Sequence, residues 1–212
     1  MNESVLVFDE KFMKGFKDFE EGSWSTDFGW FDYVLNHAFF LKRGVAEEDK
    51  SYKQIIPYIL FKCEDLYLAY ERCGDESRLT GRISVGIGGH IDLADVDSTL
   101  VCKDIMMDTL TTAALRELDE ELKFPEMRAS IKFMSVSTYL AAPEGYIYAK
   151  DSESTVDQVH MGAVYQVKLT KDIADQITLR DEGKNMVWKT AEEFLEDEGL
   201  EAWSKVALEN VY

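Results

Sequence analysis

One stretch near the middle of the chain narrows its options most. Over 107–123, Met107, Leu110, Ala114, Leu118 and Leu122 recur at three- and four-residue steps. That spacing predicts an α-helix with one apolar stripe, which must be buried against a larger core. Through the stripe runs Arg116-Glu117-Leu118-Asp119-Glu120-Glu121-Leu122. At about 100° per residue, Glu117, Glu120 and Glu121 fall within an arc of roughly 100°, and Glu121 lies nearest the buried edge. Arg116 stands four residues before Glu120 and can pair with it along the helix. Three carboxylates therefore crowd together beside a packed face. Without a counter-charge they raise one another's pKa and oppose folding. A divalent cation removes the conflict, and an oxygen-only donor set suits Mg2+ or Mn2+ rather than Zn2+. Such an ion binds phosphate oxygens and activates water for attack on phosphorus.

The surrounding pattern is mixed α/β. Strands are expected at 55–61 and 66–70, joined by a Glu64-Asp65 turn, and at 82–87, where Gly86, Gly88 and Gly89 end the run. Residues 74–81 read as a polar loop and 90–104 as acidic and irregular. Asp104 or Asp108 can cap or charge the start of the central helix, and Pro125 stops it. Further strands are expected at 131–140, 145–149 and 159–169. A turn at 181–185 and a short strand at 186–189 follow, then helices over 190–197 and 201–210. Gly88 and Gly89 fit a backbone turn that approaches a ligand closely, where a Cβ would intrude. Arg72, Arg78 and Arg82 flank the strands leading to this turn, and at least one is expected to neutralise substrate phosphate. His90 and His160 are expected to be structural hydrogen-bonding groups, since a carboxylate-rich site favours hard ions.

Residues 1–50 read differently. Phe8, Phe12, Phe16 and Phe19 recur at helical spacing, which predicts one face of an amphipathic helix, broken at Gly22-Ser23. A second aromatic group follows: Trp24, Phe28, Trp30, Phe31, Tyr33, Phe39 and Phe40. The segment is expected to be an N-terminal extension packed on a main domain at 51–212. Its aromatic content also leaves a homodimer contact or a substrate-stacking lid open.

In this setting the central string resembles the signature of the Nudix (MutT-like) hydrolases. That signature is a Gly, five residues, a Glu, seven residues, then Arg-Glu-aliphatic-x-Glu-Glu-x-Gly-aliphatic. Gly88-Gly89-His90-Ile91 is similar to the opening glycine turn. Asp108 stands seven residues before Arg116, where the family has its first Glu. Arg116, Glu117, Leu118, Glu120 and Glu121 match in type. Residues 159–165 are similar to the family's central strand after the signature. Glu182-Gly183 with Val187-Trp188 and Ala191-Glu192-Glu193-Phe194-Leu195 is similar to its closing loop, strand and helix. The spacing at 88–91 and the tail Trp203-Ser204-Lys205 resemble a branch described as predicted phosphoesterases. Two departures stand out: 18 residues, 90–107, separate Gly89 from Asp108, and Lys123 takes the place of the helix glycine.

The resemblance implies a Nudix-type α/β/α sandwich with a mixed β-sheet, carrying the N-terminal aromatic-rich extension. It implies a pyrophosphohydrolase or phosphoesterase acting on a small phosphorylated, nucleotide-like substrate. Glu117, Glu120 and Glu121 would bind Mg2+ or Mn2+. Glu120 or a late-loop acid, Glu182 or its neighbour Asp181, would assist the attacking water. Arg116 would orient a Glu. Gly88, Gly89, Arg72 and Arg82 are the substrate-binding candidates. The alternative is a non-catalytic Nudix-fold module that senses a nucleotide or sugar-nucleotide. A diphosphate isomerase of the same fold would need a dedicated cysteine; Cys102 lies in the insertion, but its surroundings do not resemble that branch.

Composition sharpens these expectations. The chain has 212 residues, with 23 Lys and Arg against 41 Asp and Glu, for a formal charge of −18. That excess argues against nucleic acid or an anionic membrane as a partner, since both need a basic face. No apolar run approaches the roughly 20 residues of a membrane span. No signal-peptide pattern opens the chain, and three cysteines lack metal-type spacing. A cytoplasmic protein with reduced thiols is expected.

Overall fold

The computed structural model describes residues 3–14, 16, 18, 23–73, 80–96, 105–123, 140, 142–148, 156–180 and 183–211. Strand β1 (Ser4–Asp9) runs into a 3-10 turn (Glu10–Met13), then β2 (Trp24–Ser25), helix α1 (Phe28–Leu35), β3 (Phe39–Lys42) and α2 (Arg43–Glu48). The long β4 (Tyr52–Cys63) turns back into β5 (Leu66–Arg72). The turn uses Glu64 at φ 54°, the left-handed geometry that suits a tight hairpin. Short strands β6 (Ile83–Ser84) and β7 (Gly86–Ile87) lead to a 3-10 turn (Leu93–Asp95) and the long helix α3 (Ile105–Glu121). Then come β8 (Leu122–Lys123), β9 (Gly145–Ile147), β10 (His160–Lys168), α4 (Lys171–Ala174) and β11 (Thr178–Leu179). The chain closes with β12 (Gly183–Thr190), α5 (Ala191–Leu195) and α6 (Ala202–Val211).

Ten of the described strands share one sheet, with the order β12-β5-β4-β10-β9-β2 along its main path. β4 and β10 run parallel, from the pair Gln54–His160 to Lys62–Lys168. The other pairings are antiparallel, so the sheet is mixed. Side chains alternate across the sheet. Ile55, Ile59 and Phe61 face α3, packing with Leu110, Ala113, Ala114, Leu118 and Leu122. Ile56, Tyr58 and Leu60 face the opposite layer, with Phe194, Ala207 and Leu208 of α5 and α6. The result is the expected α/β/α sandwich. Helix α5 opens with a reciprocal cap: Glu193 N–H donates to Thr190 Oγ1 and Thr190 N–H to Glu193 Oε2. Among the described residues, no helix is long and apolar enough to cross a membrane.

Three expectations are corrected. The phenylalanine series does not start as a helix: Phe8 lies in strand β1 and Phe12 in the following 3-10 turn, while Phe19 lies outside the described residues. Val5, Leu6, Val7 and Phe8 are all fully buried, and such an unbroken apolar run suits a strand covered on both faces. The central helix ends at Glu121 rather than 123, because Leu122 and Lys123 pair with Leu179 and Thr178. Arg180 closes that end instead of a glycine: its backbone N–H donates to Glu121 O and its Nε to Leu122 O. The closing strand begins at Gly183, well before 186, and its register shifts between Lys184 and Val187. The strand expected at 131–140 and the helix stop at Pro125 fall outside the described residues, apart from Leu140.

Candidate active site

Helix α3 presents its three glutamates at graded depth, as its 3.6-residue period requires. Glu121 and Glu117 are buried, at 8% and 9% exposure, and the Glu120 side chain is 58% exposed. Two neighbouring elements close over the buried pair. From β5, Tyr70 donates its hydroxyl to Glu121 Oε2 at 3.2 Å, with Gly86 O at 3.3 Å beside it. Burial and the charge of Glu121 push the Tyr70 phenol well above its ordinary pKa, which keeps the donating proton in place. From the glycine turn, Gly89 lies against Glu117. A Cβ there would stand 2.4 Å from the carboxylate, while one on Gly88 would stand 1.8 Å from Pro57 O. Both glycines are therefore dictated by close approach.

Arg116 organises the cluster through every nitrogen of its fork. Nη1 donates to Glu117 Oε1 at 2.6 Å and Glu120 Oε2 at 3.2 Å. Nε and Nη2 each donate to the Asp95 carboxylate at 2.9 Å, and Nη2 also reaches His90 O at 2.8 Å. Its hydrogen bonds to Asp95, joined by the charge of Glu117, outweigh burial and hold the guanidinium charged. Asp95 is buried and also accepts from Asp92 N–H at 2.8 Å. Spacing carries a signal for it that Asp108, at the other interval of the signature, masks. Five residues, 90–94, separate Gly89 from Asp95, the interval of the family signature. The extra chain thus lies between Asp95 and α3, and Asp95 rather than Asp108 pairs with Arg116.

The other candidates scatter. Arg72 lies at the end of β5, 3.6 Å from Glu201 Oε2. Arg82 is exposed and donates from Nη1 to Glu198 O at 3.2 Å, toward the C-terminal segment. His90 Nε2 and His160 Nε2 are 3.2 Å apart, and His160 Nδ1 is 2.7 Å from Val156 O. Glu182, Asp181, Arg78, Cys102 and Asp104 lie outside the described residues. Tyr70 carried no signal in the sequence, because only the folded sheet brings it to Glu121. Among the described residues, no three acidic, histidine or cysteine side chains already converge as a metal cage. The donor chemistry still fits a hard cation: three carboxylates from one helix face, two buried, with one internal guanidinium as counter-charge.

No family model matches the chain. The crystal structure of Tm1382, named provisionally as a Nudix hydrolase, superposes with a TM-score of 0.65, covering 98% of this chain and 97% of that one at 23% identity. The MutT protein of Methanosarcina mazei Go1 overlaps less, with a TM-score of 0.42 over 73% of this chain and 89% of that one at 17% identity. The sandwich, with its carboxylate-bearing helix beneath a glycine turn, has the fold of the Tm1382 structure. By sequence, the chain belongs to one family with protein YmaB of Bacillus subtilis (strain 168). The two are 31% identical over 176 residues, 80% of this chain and 76% of YmaB.

Proposed function

We propose that this chain is a metal-dependent hydrolase that cleaves a phosphoanhydride, in a nucleoside diphosphate linked to another moiety or a related nucleotide. The observation that carries the reading is the buried Glu117–Glu121 pair beside exposed Glu120, clamped by Arg116 and roofed by Gly89. Glu117, Glu120 and Glu121 would hold Mg2+ or Mn2+. When bound, the ion neutralises phosphate charge and lowers the pKa of water. The protein's own groups do the rest. Tyr70 fixes the rotamer of Glu121, and Arg116 sets the positions of Glu117 and Glu120. Gly88 and Gly89 let the backbone come close, and Arg72 meets substrate phosphate. Glu120, the accessible member, takes the proton from the attacking water, with Glu182 as the candidate second acid. Positioning and charge stabilisation account for most of the catalysis phosphoryl transfer needs. The cytoplasm is the compartment that fits a chain of this composition.

A panel of nucleoside diphosphates linked to sugars, nucleosides or other groups tests the reading, assayed with Mg2+ or Mn2+ and products identified by mass spectrometry. Turnover of at least one member is expected, with Glu120→Gln slower by roughly a hundredfold or more. No turnover of any member, with Glu120→Gln indistinguishable from the parent, refutes it. A second reading, a nucleotide or sugar-nucleotide sensor, draws on Arg116 Nη1, which already engages two of the three carboxylates. It predicts ligand-induced thermal stabilisation with the ligand recovered intact.

A further inference from the structure

Glu201 stands immediately before helix α6, on the sheet layer opposite α3, and is 7% exposed. Its Oε1 accepts from three hydroxyls: Ser84 at 2.6 Å, Tyr58 at 2.9 Å and Ser204 at 3.1 Å. Its backbone N–H donates to Ile83 O. So many contacts fix the carboxylate in one place. The remaining oxygen, Oε2, faces Arg72 Nη1 at 3.6 Å. Arg72 follows Tyr70 by two residues on β5, so both side chains leave the same side of the strand. Tyr70 holds Glu121. Arg72 therefore contacts Glu201 and leaves β5 on the side of the strand from which Tyr70 reaches Glu121, within that carboxylate's field. Burial works against its charge, and the fields of Glu201 and Glu121 outweigh that effect.

The other described arginines are committed elsewhere. Arg116 is spent on Asp95, His90, Glu117 and Glu120. Arg82 points to Glu198, Arg43 pairs with Glu3 and Glu47, and Arg180 holds the end of α3. The Arg72 side chain keeps 29% of its surface exposed, and a guanidinium carries five donors. Left to itself beside Glu121, it would swing onto the site carboxylates and compete with a cation for them.

We propose that Glu201 is a positioning residue: it draws Arg72 back from the site carboxylates and presents its free donors to substrate phosphate. This rests on the hydrolase reading above, in which Arg72 meets phosphate.

The test is a double-mutant cycle of the parent, Arg72→Gln, Glu201→Gln and the pair, with KM, kcat and the Mg2+ concentration for half-maximal rate measured for each. Glu201→Gln keeps the shape and the acceptor oxygen for the hydroxyls while removing the charge that faces Arg72. It is expected to raise the Mg2+ requirement several-fold and KM with it. Arg72→Gln is expected to raise KM about tenfold or more, the scale of a lost charge-assisted hydrogen bond, with an unchanged Mg2+ requirement. In the Arg72→Gln background, Glu201→Gln should add nothing. An equal effect of Glu201→Gln in both backgrounds overturns the proposal, and so does a Mg2+ requirement that does not move. Should Glu201→Gln fail to fold, Tyr58→Phe removes one hydroxyl from Oε1. It should shift the Mg2+ requirement in the same direction, only while Arg72 is present; a shift in both backgrounds, or none, counts against. If the parent hydrolyses no diphosphate, the hydrolase reading fails on its own. The same proteins are then compared by calorimetric binding of inorganic pyrophosphate with Mg2+. About tenfold weaker binding by Arg72→Gln, with no further loss in the double variant, supports the positioning role. Equal binding by the parent and Arg72→Gln overturns it.

Discussion

A methyl group added to Gly88 and one added to its neighbour Gly89 would do different damage. At Gly88 the new Cβ meets the Pro57 carbonyl, which belongs to the central strand and cannot yield. Overpacking against backbone predicts that Gly88→Ala loses about 2–3 kcal/mol or more, read as a fall in the urea midpoint. At Gly89 the clash is with the tip of Glu117, which can turn aside. Gly89→Ala should keep the urea midpoint near that of the parent and lower kcat/KM about tenfold or more, because the displaced group is a candidate metal ligand. A second residue-scale consequence concerns pH. His160 Nδ1 carries the proton it donates to Val156 O, so its Nε2 accepts and His90 Nε2 donates. Burial first, then the adjacent His160 ring and the positive fields of Arg43 and Arg116, hold His90 well below its ordinary pKa. The folded protein keeps this ring neutral, while the unfolded chain takes up a proton below about pH 6.5. Stability is therefore full above that pH and falls as pH drops toward the depressed folded value. Thermal melts from about pH 7.5 to 5.5 should show a declining Tm that flattens in His90→Gln; parallel profiles would contradict this.

At the scale of elements, α3 was legible because its own periodicity fixes both the buried stripe and the carboxylate arc. Glu121 near the buried edge followed from the turn angle alone. What packs over the helix was not legible. Tyr70 arrives from a strand 51 positions earlier in the chain and Asp95 from a 3-10 turn 21 positions earlier. Sequence spacing carries no information on such contacts once a loop of unknown path intervenes. Asp95 could have been found, since it lies at the signature interval from Gly89, but Asp108 satisfied the other interval and masked it. Phe8 was misread for a different reason. Phenylalanines at helical spacing coincided with an apolar, valine-rich run, Val5-Leu6-Val7, whose strand preference and complete burial decided the outcome. The Asp95–Arg116 clamp ties the 3-10 turn to the helix. Asp95→Asn leaves the fork without its strongest partner and is expected to cost about 2 kcal/mol, discounted from a fully buried pair because Arg116 is 28% exposed. Chemical denaturation reads the loss. An unchanged midpoint would mean that Glu117 and Glu120 alone suffice to hold Arg116.

At the scale of the whole molecule, residues 1–50 share the core of the rest. Strand β1 pairs with β4 through Val7–Gln54, Phe8–Lys53 and Asp9–Tyr52. Leu6, Phe8, Trp30, Phe31 and Val34 pack in one cluster with Ile55 and Leu118. Lys53 is buried beside Glu10 and the Tyr148 ring. Removing the first 50 residues strips side chains worth roughly 1.5–3 kcal/mol each, which together exceed the margin of an ordinary domain. A 51–212 fragment should show no cooperative unfolding transition by circular dichroism; a sharp melt would establish it as a self-sufficient domain. The charge of −18 belongs to the same scale. Summed over the surface it repels anions, so any phosphate must be received at a point where the sign is locally reversed. Arg72 and a cation held by Glu117, Glu120 and Glu121 would provide that point. Because such a cation binds only the folded arrangement, it should also stabilise the fold, by about 2.7 kcal/mol at a hundredfold excess over its Kd. Melts with saturating Mg2+ against a chelator should show a rise in Tm that Glu121→Gln largely removes. An equal rise in that variant would mean that Mg2+ acts through diffuse screening of the surface acids, and the phosphate would then have to be met by Arg72 alone.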